Sequence, residues 1–157
     1  MKTAVFGSSG WLGSHLIFKK ELGDISPFNR QSFNLDNGDL SIIIPHDLAF
    51  LCAGTKGFAE NEGNRQAFRS DVDGNIRLAR HLLRQGTFVV FVSTDAVEWA
   101  LHTAYARNRF MVELAIGGEP NVAIFRPAKF TEATIAEVAL ACAKVGLQRK
   151  EGLTRWP

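Results

Sequence analysis

Short apolar runs alternate along the chain with segments whose apolar residues recur at helical spacing. Runs typical of buried strands occupy residues 3–6, 47–54, 87–92 and 121–126, and a weaker run at 24–30 contains Pro27. Helical spacing follows at residues 11–22, 64–85, 103–116 and 134–146, each segment ending near a glycine. This alternation predicts an α/β fold, a doubly wound parallel sheet between two layers of helices.

The fold is expected to be abbreviated after the second strand. Residues 33–36 can form only a minimal third strand before the turn at Asn37 and Gly38, and residues 40–44 are too short for a crossover helix. At the other end, Thr134 is predicted to cap the last helix, with Glu137 in capping-box register. We expect one three-layer domain over residues 1–147 and a loose tail over residues 148–157.

The helix at 64–85 is predicted to bury one apolar stripe. That stripe comprises Phe68, Val72, Ile76, Ala79 and Leu83. Gly74 costs helix stability at this position, so it predicts close packing there. Five arginines recur along the same segment, Arg65, Arg69, Arg77, Arg80 and Arg84, and we interpret them as a solvated face.

Composition excludes several classes of protein. The 157 residues are 46% hydrophobic and 22% charged with a net charge of +2, which is typical of a globular domain and too mild to predict nucleic-acid binding. Cys52 and Cys142 lie in apolar runs without metal-ligand spacing, so buried, reduced thiols and no metal site are expected. The chain shows neither a signal peptide nor a membrane-spanning run, which favours a cytoplasmic location.

The sequence Gly7-Ser8-Ser9-Gly10-Trp11-Leu12-Gly13 joins the first strand to the first helix. Gly7 would make the tight turn, Gly10 would let the backbone approach a pyrophosphate, and Gly13 would bring the helix close to the strand. Backbone N–H groups at the helix start can then hold the anion. This glycine turn (residues 7–13) predicts dinucleotide binding; the alternative is a Gly/Ser loop without a ligand.

Other segments at the carboxyl ends of the strands are expected to meet the glycine turn in one crevice. Asn29 is neutral where sheets that prefer NAD usually carry an acid, and Arg30 could pair with a 2′-phosphate, which slightly favours NADP(H) over NAD(H). The alternative is an Arg30 side chain that faces solvent without a ligand. The predicted cofactor-binding residues beyond the glycine turn are Asn29, Arg30, Leu35, Asp36, Cys52, Ala53, Gly54, Asp71, Ser93, Tyr105, Arg109, Pro127 and Ala128.

Tyr105 and Arg109 lie one turn apart on the helix at 103–116, after Ser93 and Thr94 at the end of a strand. A fixed cation beside a phenol favours the phenolate, so Tyr105 could exchange a proton with a substrate oxygen. The Thr94 hydroxyl could hydrogen-bond the same oxygen. The alternative is a half-buried tyrosine whose hydroxyl binds an arginine for structural reasons.

Taken in order, these motifs resemble those of extended short-chain dehydrogenases/reductases, which include sugar-nucleotide epimerases, dehydratases and dehydrorhamnose reductases. The resemblance covers residues 2–146 and implies a Rossmann-type fold. It rests on the GxxGxxG turn, on Asp71-Val72-Asp73-Gly74-Asn75 for the family's Asn-Val-x-Gly-Thr, on Ser93-Thr94-Asp95-Ala96-Val97 for Ser-Thr-Asp-x-Val, on Tyr105 and Arg109 for Tyr-x-x-x-Lys, and on Arg126-Pro127.

The resemblance implies catalytic roles for Thr94, Tyr105 and Arg109. Tyr105 would donate or accept the proton, with Thr94 as its hydroxyl partner. Arg109 would take the lysine's place at the nicotinamide ribose, although a guanidinium cannot relay a proton. Asp71 replaces the usual asparagine and adds a carboxylate near the site. The C-terminal substrate domain of extended members is expected to be missing, because the resemblance ends near the last residue.

Two functional interpretations follow. The first is an NAD(P)-dependent oxidoreductase or epimerase-like enzyme that transfers hydride to a carbonyl or alcohol carbon of a small molecule, with a sugar as one candidate. The second is a non-catalytic dinucleotide-binding sensor or partner subunit derived from such enzymes. The resemblance also implies a homodimer, and the helices at 64–85 and 103–116 have apolar residues on more than one face, including Phe68, Leu82, Phe110, Met111 and Leu114.

Overall fold

Six parallel strands form one sheet in the computed structural model, which describes residues 1–55, 58–128 and 131–156. The strands are β1 (Lys2–Phe6), β2 (Asp24–Phe28), β3 (Leu48–Leu51), β4 (Phe88–Val92), β5 (Val122–Pro127) and β6 (Gly152–Trp156). Their order across the sheet is β2-β1-β3-β4-β5-β6. The predicted doubly wound parallel sheet is confirmed.

Helices cover both faces of this sheet. They are α1 (Trp11–Leu16), α2 (Arg65–Phe68), a π-helical segment (Arg69–Gly74), α3 (Asn75–Arg84), α4 (Ala96–Trp99), α5 (Ala104–Ile116) and α6 (Ile135–Leu147), with 3₁₀ turns at Lys20–Leu22 and Leu40–Ile42. One core contains Leu78 of α3 and Val112 of α5. The opposite core contains Leu16 of α1 and Cys142 of α6. Strands buried on both faces explain the continuous apolar runs in the sequence.

The segment after β1 differs from its prediction in two places. Helix α1 ends at Leu16 rather than near Gly23, and Phe18 beyond it is 81% exposed. Residues 33–36 form a loop that leads into a turn at residues 35–37 instead of a third strand, because the Asn34 side chain accepts a hydrogen bond from the Asp36 N–H. Phe33 and Leu35 are nevertheless buried, so this loop contributes to the core. Residues 40–42 form only a 3₁₀ turn, and the predicted absence of a crossover helix there is confirmed for these described residues.

The predicted helix at 64–85 is present but not uniform. Its middle turn is π-helical over Arg69–Gly74, so the residues before it are rotated relative to a regular helix. Phe68, assigned to the buried stripe, is therefore 38% exposed, and Ala67 is buried instead. The close packing predicted at Gly74 is confirmed, since a Cβ there would overlap the Leu35 carbonyl oxygen.

The C-terminal part of the chain requires two corrections. Residues Gly152–Trp156, expected to be loose, pair in parallel with β5 as the edge strand β6; Pro157 lies outside the described residues. Thr134 is the N-cap residue of α6, but its side chain accepts from the Thr131 N–H at 3.0 Å and does not cap the helix, so the predicted capping box with Glu137 is not formed. Helix α4 was not predicted.

Candidate functional site: a cleft where the strand order reverses

The glycine turn is held by backbone contacts that leave no room for a side chain at positions 7 and 13. Gly7 has φ +86°, and a Cβ on it would overlap the backbone of Ala53. A Cβ on Gly13 would overlap the Gly7 carbonyl oxygen. The Gly7 and Ser8 N–H groups donate to the Phe28 carbonyl at 2.8 and 3.0 Å, which fixes the turn to the end of β2. These contacts are the close approaches for which the motif needs glycine.

A cleft of about 410 Å³ opens beside this turn, between the carboxyl ends of β1, β2 and β3. β2 and β3 lie on opposite sides of β1, so the strand order reverses here, as it does at ligand sites of open α/β sheets. Ten predicted cofactor residues line the cleft: Gly7, Ser9, Gly10, Asn29, Arg30, Leu35, Cys52, Ala53, Gly54 and Asp71. Six further residues that the sequence did not predict line the cleft: Phe6, Phe28, Phe33, Asn34, Thr55 and Ser70.

Three aromatic rings form one wall of the cleft. The Phe6 and Phe28 rings are stacked with their centroids 4.6 Å apart, and Phe33 meets Phe6 edge-on at 5.7 Å. These residues come from β1, β2 and the turns after β2. Sequence spacing could not bring them together, because their contact depends on the pairing of β1 with β2.

The turn at residues 29–32 presents Arg30 at the mouth of the cleft. The Asn29 side chain accepts from the N–H groups of Gln31 and Ser32 at 2.9 and 3.0 Å, which closes the turn directly after β2. Arg30 is exposed, and its guanidinium has no hydrogen bond or ion pair within the described residues. It is therefore available to an anionic group of a ligand.

The loop that follows β3, residues 53–55, forms the floor of the cleft and is called the floor loop below. Asp71, only 1% exposed, accepts from the Thr55 N–H at 2.9 Å and from the Ser70 hydroxyl at 3.1 Å. The Asn75 amide donates to the Asp71 carbonyl at 3.0 Å and lies 3.5 Å from the Ala53 carbonyl. Asp71 is oriented toward the floor loop from the π-helical segment, a feature that the sequence did not predict.

Cys52 immediately precedes the floor loop and lines the same cleft. Burial raises the pKa of its thiol to about 12, although the nearby Arg109 charge acts in the opposite direction. Burial also raises the pKa of Cys142. Both cysteines are free, as expected, and both thiols stay protonated near neutral pH.

Arg109 is almost fully buried between the ends of β3 and β4. Its side chain is directed away from solvent, with Nη1 at 3.3 Å from the Ala53 carbonyl and 3.4 Å from the Val92 carbonyl. The guanidinium carbon lies 5.6 Å from the ring centroid of Phe91 and 5.9 Å from that of Tyr105. Among the described residues Arg109 has no carboxylate partner, and it contacts the Tyr105 ring rather than the hydroxyl.

Tyr105 and Thr94 lie beyond the end of β4, outside the walls of the cleft. Tyr105 is half-buried, its ring meets Phe58 edge-on at 5.4 Å, and its hydroxyl makes no hydrogen bond within the described residues. The Thr94 hydroxyl oxygen accepts from the Ala96 N–H at 3.2 Å and donates to Asp95 at 3.4 Å. The neighbouring Ser93 hydroxyl is buried and unpaired among the described residues.

The other predicted site residues do not line the cleft. Ser8, Leu12 and Gly13 are buried in the turn and helix, whereas Trp11 is half exposed. Asp36 lies in the turns after Leu35. The Pro127 carbonyl accepts from the Asp95 N–H at 3.2 Å, and the Ala128 N–H donates to the Trp156 carbonyl at 2.9 Å. Pro127 and Ala128 are thus tied to the ends of β4 and β6.

The chain has the same fold as solved proteins that include dTDP-4-dehydrorhamnose reductases and a UDP-galactose 4-epimerase. The solved dTDP-4-dehydrorhamnose reductase of Clostridium acetobutylicum superposes with a TM-score of 0.86 at 17% identity, over 99% of this chain and 74% of that one. The dTDP-4-dehydrorhamnose reductase of Bacillus anthracis in complex with NADP gives 0.84 at 18% identity, over 99% and 74%.

A solved UDP-galactose 4-epimerase is also similar, with a TM-score of 0.70 at 18% identity over 81% of this chain and 55% of that one. No protein-family profile and no curated protein matches the sequence. Within the described residues, no helix combines the length and the apolar composition needed to span a bilayer.

Proposed function

We propose that this protein is an NAD(P)-dependent oxidoreductase or epimerase-like enzyme of the cytoplasm that acts on a carbonyl or alcohol carbon of a small molecule, for which a sugar is the first candidate. The observation that carries the proposal is the glycine turn, packed against Ala53 and opening on a cleft at the point where the strand order reverses. Solved proteins with the same fold are dTDP-4-dehydrorhamnose reductases and an epimerase, one of them in complex with NADP.

The residues of the cleft fit a dinucleotide. Gly10 carries no side chain and lies at the cleft wall, so the backbone of the turn is open to a pyrophosphate there. The stacked Phe6 and Phe28 rings offer an apolar wall for an aromatic base. Arg30, exposed and unpaired within the described residues, would bind a 2′-phosphate and give NADP(H) its slight preference.

A bound nicotinamide dinucleotide would supply hydride exchange with the substrate carbon. Tyr105 would exchange the proton with the substrate oxygen, because its side chain is half-buried and its hydroxyl is not engaged by any described residue. The Thr94 hydroxyl, held at the end of β4 by the Ala96 N–H, would hydrogen-bond the same oxygen. The Arg109 guanidinium supports the phenol electrostatically across the ring.

The position of Arg109 favours one alternative, a dinucleotide-binding sensor or partner subunit without turnover. Its guanidinium binds the carbonyls of Ala53 and Val92 and does not reach the Tyr105 hydroxyl. A side chain held in this way would contribute to the shape of the cleft without taking part in proton transfer. Under this alternative, dinucleotide binding is retained and Tyr105→Phe changes nothing measurable.

Binding is tested by titrating the protein with NADPH and NADH and following nicotinamide fluorescence. Gly10→Val should abolish binding by filling the pyrophosphate space, whereas Gly118→Val, in open space on the surface, should not. Arg30→Ala should weaken NADPH binding about tenfold and leave NADH unchanged, because one charge-assisted contact is lost. Arg65→Ala is the matched control. A wild-type protein that binds neither cofactor at millimolar concentration would refute the proposal.

Turnover is tested by single-turnover oxidation of NADPH with a set of activated carbonyl compounds and sugar ketones. Tyr105→Phe should abolish hydride transfer and leave NADPH affinity unchanged, since the hydroxyl acts on the substrate oxygen. Equal rates for Tyr105→Phe and the wild type, or no turnover with any carbonyl compound despite binding, would favour the sensor alternative.

A further inference from the structure

Two buried charges of opposite sign hold the floor loop from different helices. Asp71 reaches it from the π-helical segment and is 1% exposed; Arg109 reaches it from α5 and is 6% exposed. The Asp71 carboxylate accepts a hydrogen bond from the Thr55 N–H. The Arg109 guanidinium donates one to the carbonyl of Ala53, two residues earlier in the loop. The loop thus accepts from a cation at one end and donates to a carboxylate at the other.

Gly54, between these two contacts, completes the arrangement. A Cβ on Gly54 would overlap Nη2 and Cζ of Arg109, so the guanidinium packs directly against the backbone of the loop. The loop is therefore held at three consecutive residues. All three of them line the cleft.

Neither charge has an opposite charge as a direct partner among the described residues. A buried ion without compensation is unfavourable, and removing one member of a buried pair leaves the other uncompensated. Here the backbone dipoles of the floor loop lie between the two charges and bind both of them. The loop and the two side chains therefore stabilise one another.

We propose that Asp71 and Arg109 act as a coupled pair of positioning residues that hold the floor loop in the conformation that binds the dinucleotide. Loss of either side chain would release residues 53–55 and leave the other charge buried. Loss of both would release the loop but leave no unpaired charge. The role of Arg109 is then to shape the cleft, in place of proton relay. The affinity readout of this proposal rests on the proposed function; its backbone readout does not.

The test is a double-mutant cycle of Asp71→Asn, Arg109→Met and the double variant in the full chain. The first readout is hydrogen exchange at the Thr55 amide, which donates to Asp71. The second is the dissociation constant for NADPH. Matched controls are Asp73→Asn in the same π-helical segment and Arg107→Met on α5, both exposed.

Each single variant should speed Thr55 exchange and weaken NADPH binding at least about tenfold, the scale of losing one member of a buried charged pair. In the double variant, the increase in the Thr55 exchange rate and the loss of NADPH affinity should each be clearly smaller than the product of the two single effects. The control variants should behave as wild type. If Arg109→Met does not fold, Arg109→Gln replaces it in the cycle with the same criteria.

Two results would overturn the coupling: single effects that multiply in the double variant, or a Thr55 exchange rate unchanged by loss of Arg109. A wild-type protein that binds no dinucleotide would instead refute the proposed function, and the exchange data alone would then decide the coupling. Faster exchange with unchanged NADPH affinity would show a structural contact without influence on binding, and would also overturn the proposal.

Discussion

At the scale of single residues, position 13 requires glycine because the surrounding backbone leaves no space for a side chain. A Cβ on Gly13 would overlap the backbone oxygen of Gly7, which cannot move because the Gly7 N–H is bound to Phe28. We expect Gly13→Ala to destabilise the fold by about 1–3 kcal/mol, the usual cost of overpacking. Denaturant unfolding measures this directly. Gly118→Ala, in open space, is the control, and equal midpoints for the two variants would contradict the expectation.

Burial of His46 should make the folded protein less stable in mild acid. Burial lowers the pKa of its imidazole below 6.5, an effect that the Ile44 backbone opposes; Lys2 lowers the pKa further, whereas Asp24 and Asp47 raise it. The folded protein therefore favours neutral His46, and between its lowered pKa and 6.5 the unfolded chain binds more protons. Stability should be complete above pH 6.5 and should fall as the pH decreases through the folded-state pKa.

The measurement is the free energy of unfolding between pH 8 and pH 5, both values being about 1.5 units from the ordinary histidine pKa of ~6.5. His46→Gln should remove the part of the pH dependence that lies in this window. His102→Gln, at an exposed position, should leave it in place. An identical pH profile for wild type and His46→Gln would exclude His46 as its source.

At the scale of elements, sequence pattern predicted four of the strands because each is a continuous apolar run, and it predicted β2 from a weaker run that contains Pro27. Edge strand β6 was not predicted because its exposed residues, Leu153 and Arg155, alternate with half-buried ones and form no apolar run. This segment becomes a strand only by pairing with β5, and sequence pattern does not show that pairing. A π-helical segment cannot be recognised from the spacing of apolar residues in the way that a regular helix can. The exposure of Phe68, which results from this segment, was therefore not predictable either. Residues 33–36 were misassigned because a local side-chain hydrogen bond of Asn34 competes with strand pairing.

An ion network joins α4, α5, β5 and β6, and its members should differ in importance. Arg126 binds Glu113 through two nitrogens inside the protein, and the contact raises the pKa of Arg126. Glu98, on the surface, binds Arg126 at 2.9 Å and Arg155 at 2.6 Å. Only the first pair is shielded from water.

We therefore expect Glu113→Gln to cost about 3 kcal/mol or more, because it leaves Arg126 buried with a weaker partner. Glu98→Gln should have a small effect that disappears in high salt, since exposed pairs are screened. Unfolding at low and high salt distinguishes the two. Similar losses for both variants, each sensitive to salt, would show that the Glu113 pair is no better shielded than the surface pair.

At the scale of the whole molecule, the glycine turn and the alternation of strands and helices were enough to predict where the cleft lies. A topological rule places ligands at the carboxyl ends of the strands, and the motif identifies which strand is first. The aromatic wall of Phe6, Phe28 and Phe33 was not predictable because it depends on long-range pairing. Tyr105 and Arg109 were predicted as neighbours, but their spacing could not show that the guanidinium reaches the floor loop instead of the phenol hydroxyl.

The homodimer remains a prediction, and the structure refines the surface that would form it. Leu82 lies fully in the core and therefore cannot contribute to a dimer interface. Met111 and Leu114 of α5 are 43% and 69% exposed, and Phe68 of α2 is 38% exposed. Exposed apolar residues on neighbouring helices favour burial against a second copy. The same helices carry exposed arginines, so like charges would approach in the dimer and association should strengthen with salt.

Light scattering at tens of micromolar, in low and high salt, measures this association. Leu114→Asp should shift the protein to monomer, because it places a charge in the middle of the apolar surface. Leu140→Asp is the control: Leu140 is 39% exposed on α6, on the opposite face of the sheet. A monomeric mass of the wild type at both salt concentrations would contradict the prediction. A dimer that survives Leu114→Asp but is lost in Leu140→Asp would place the interface on α6 instead.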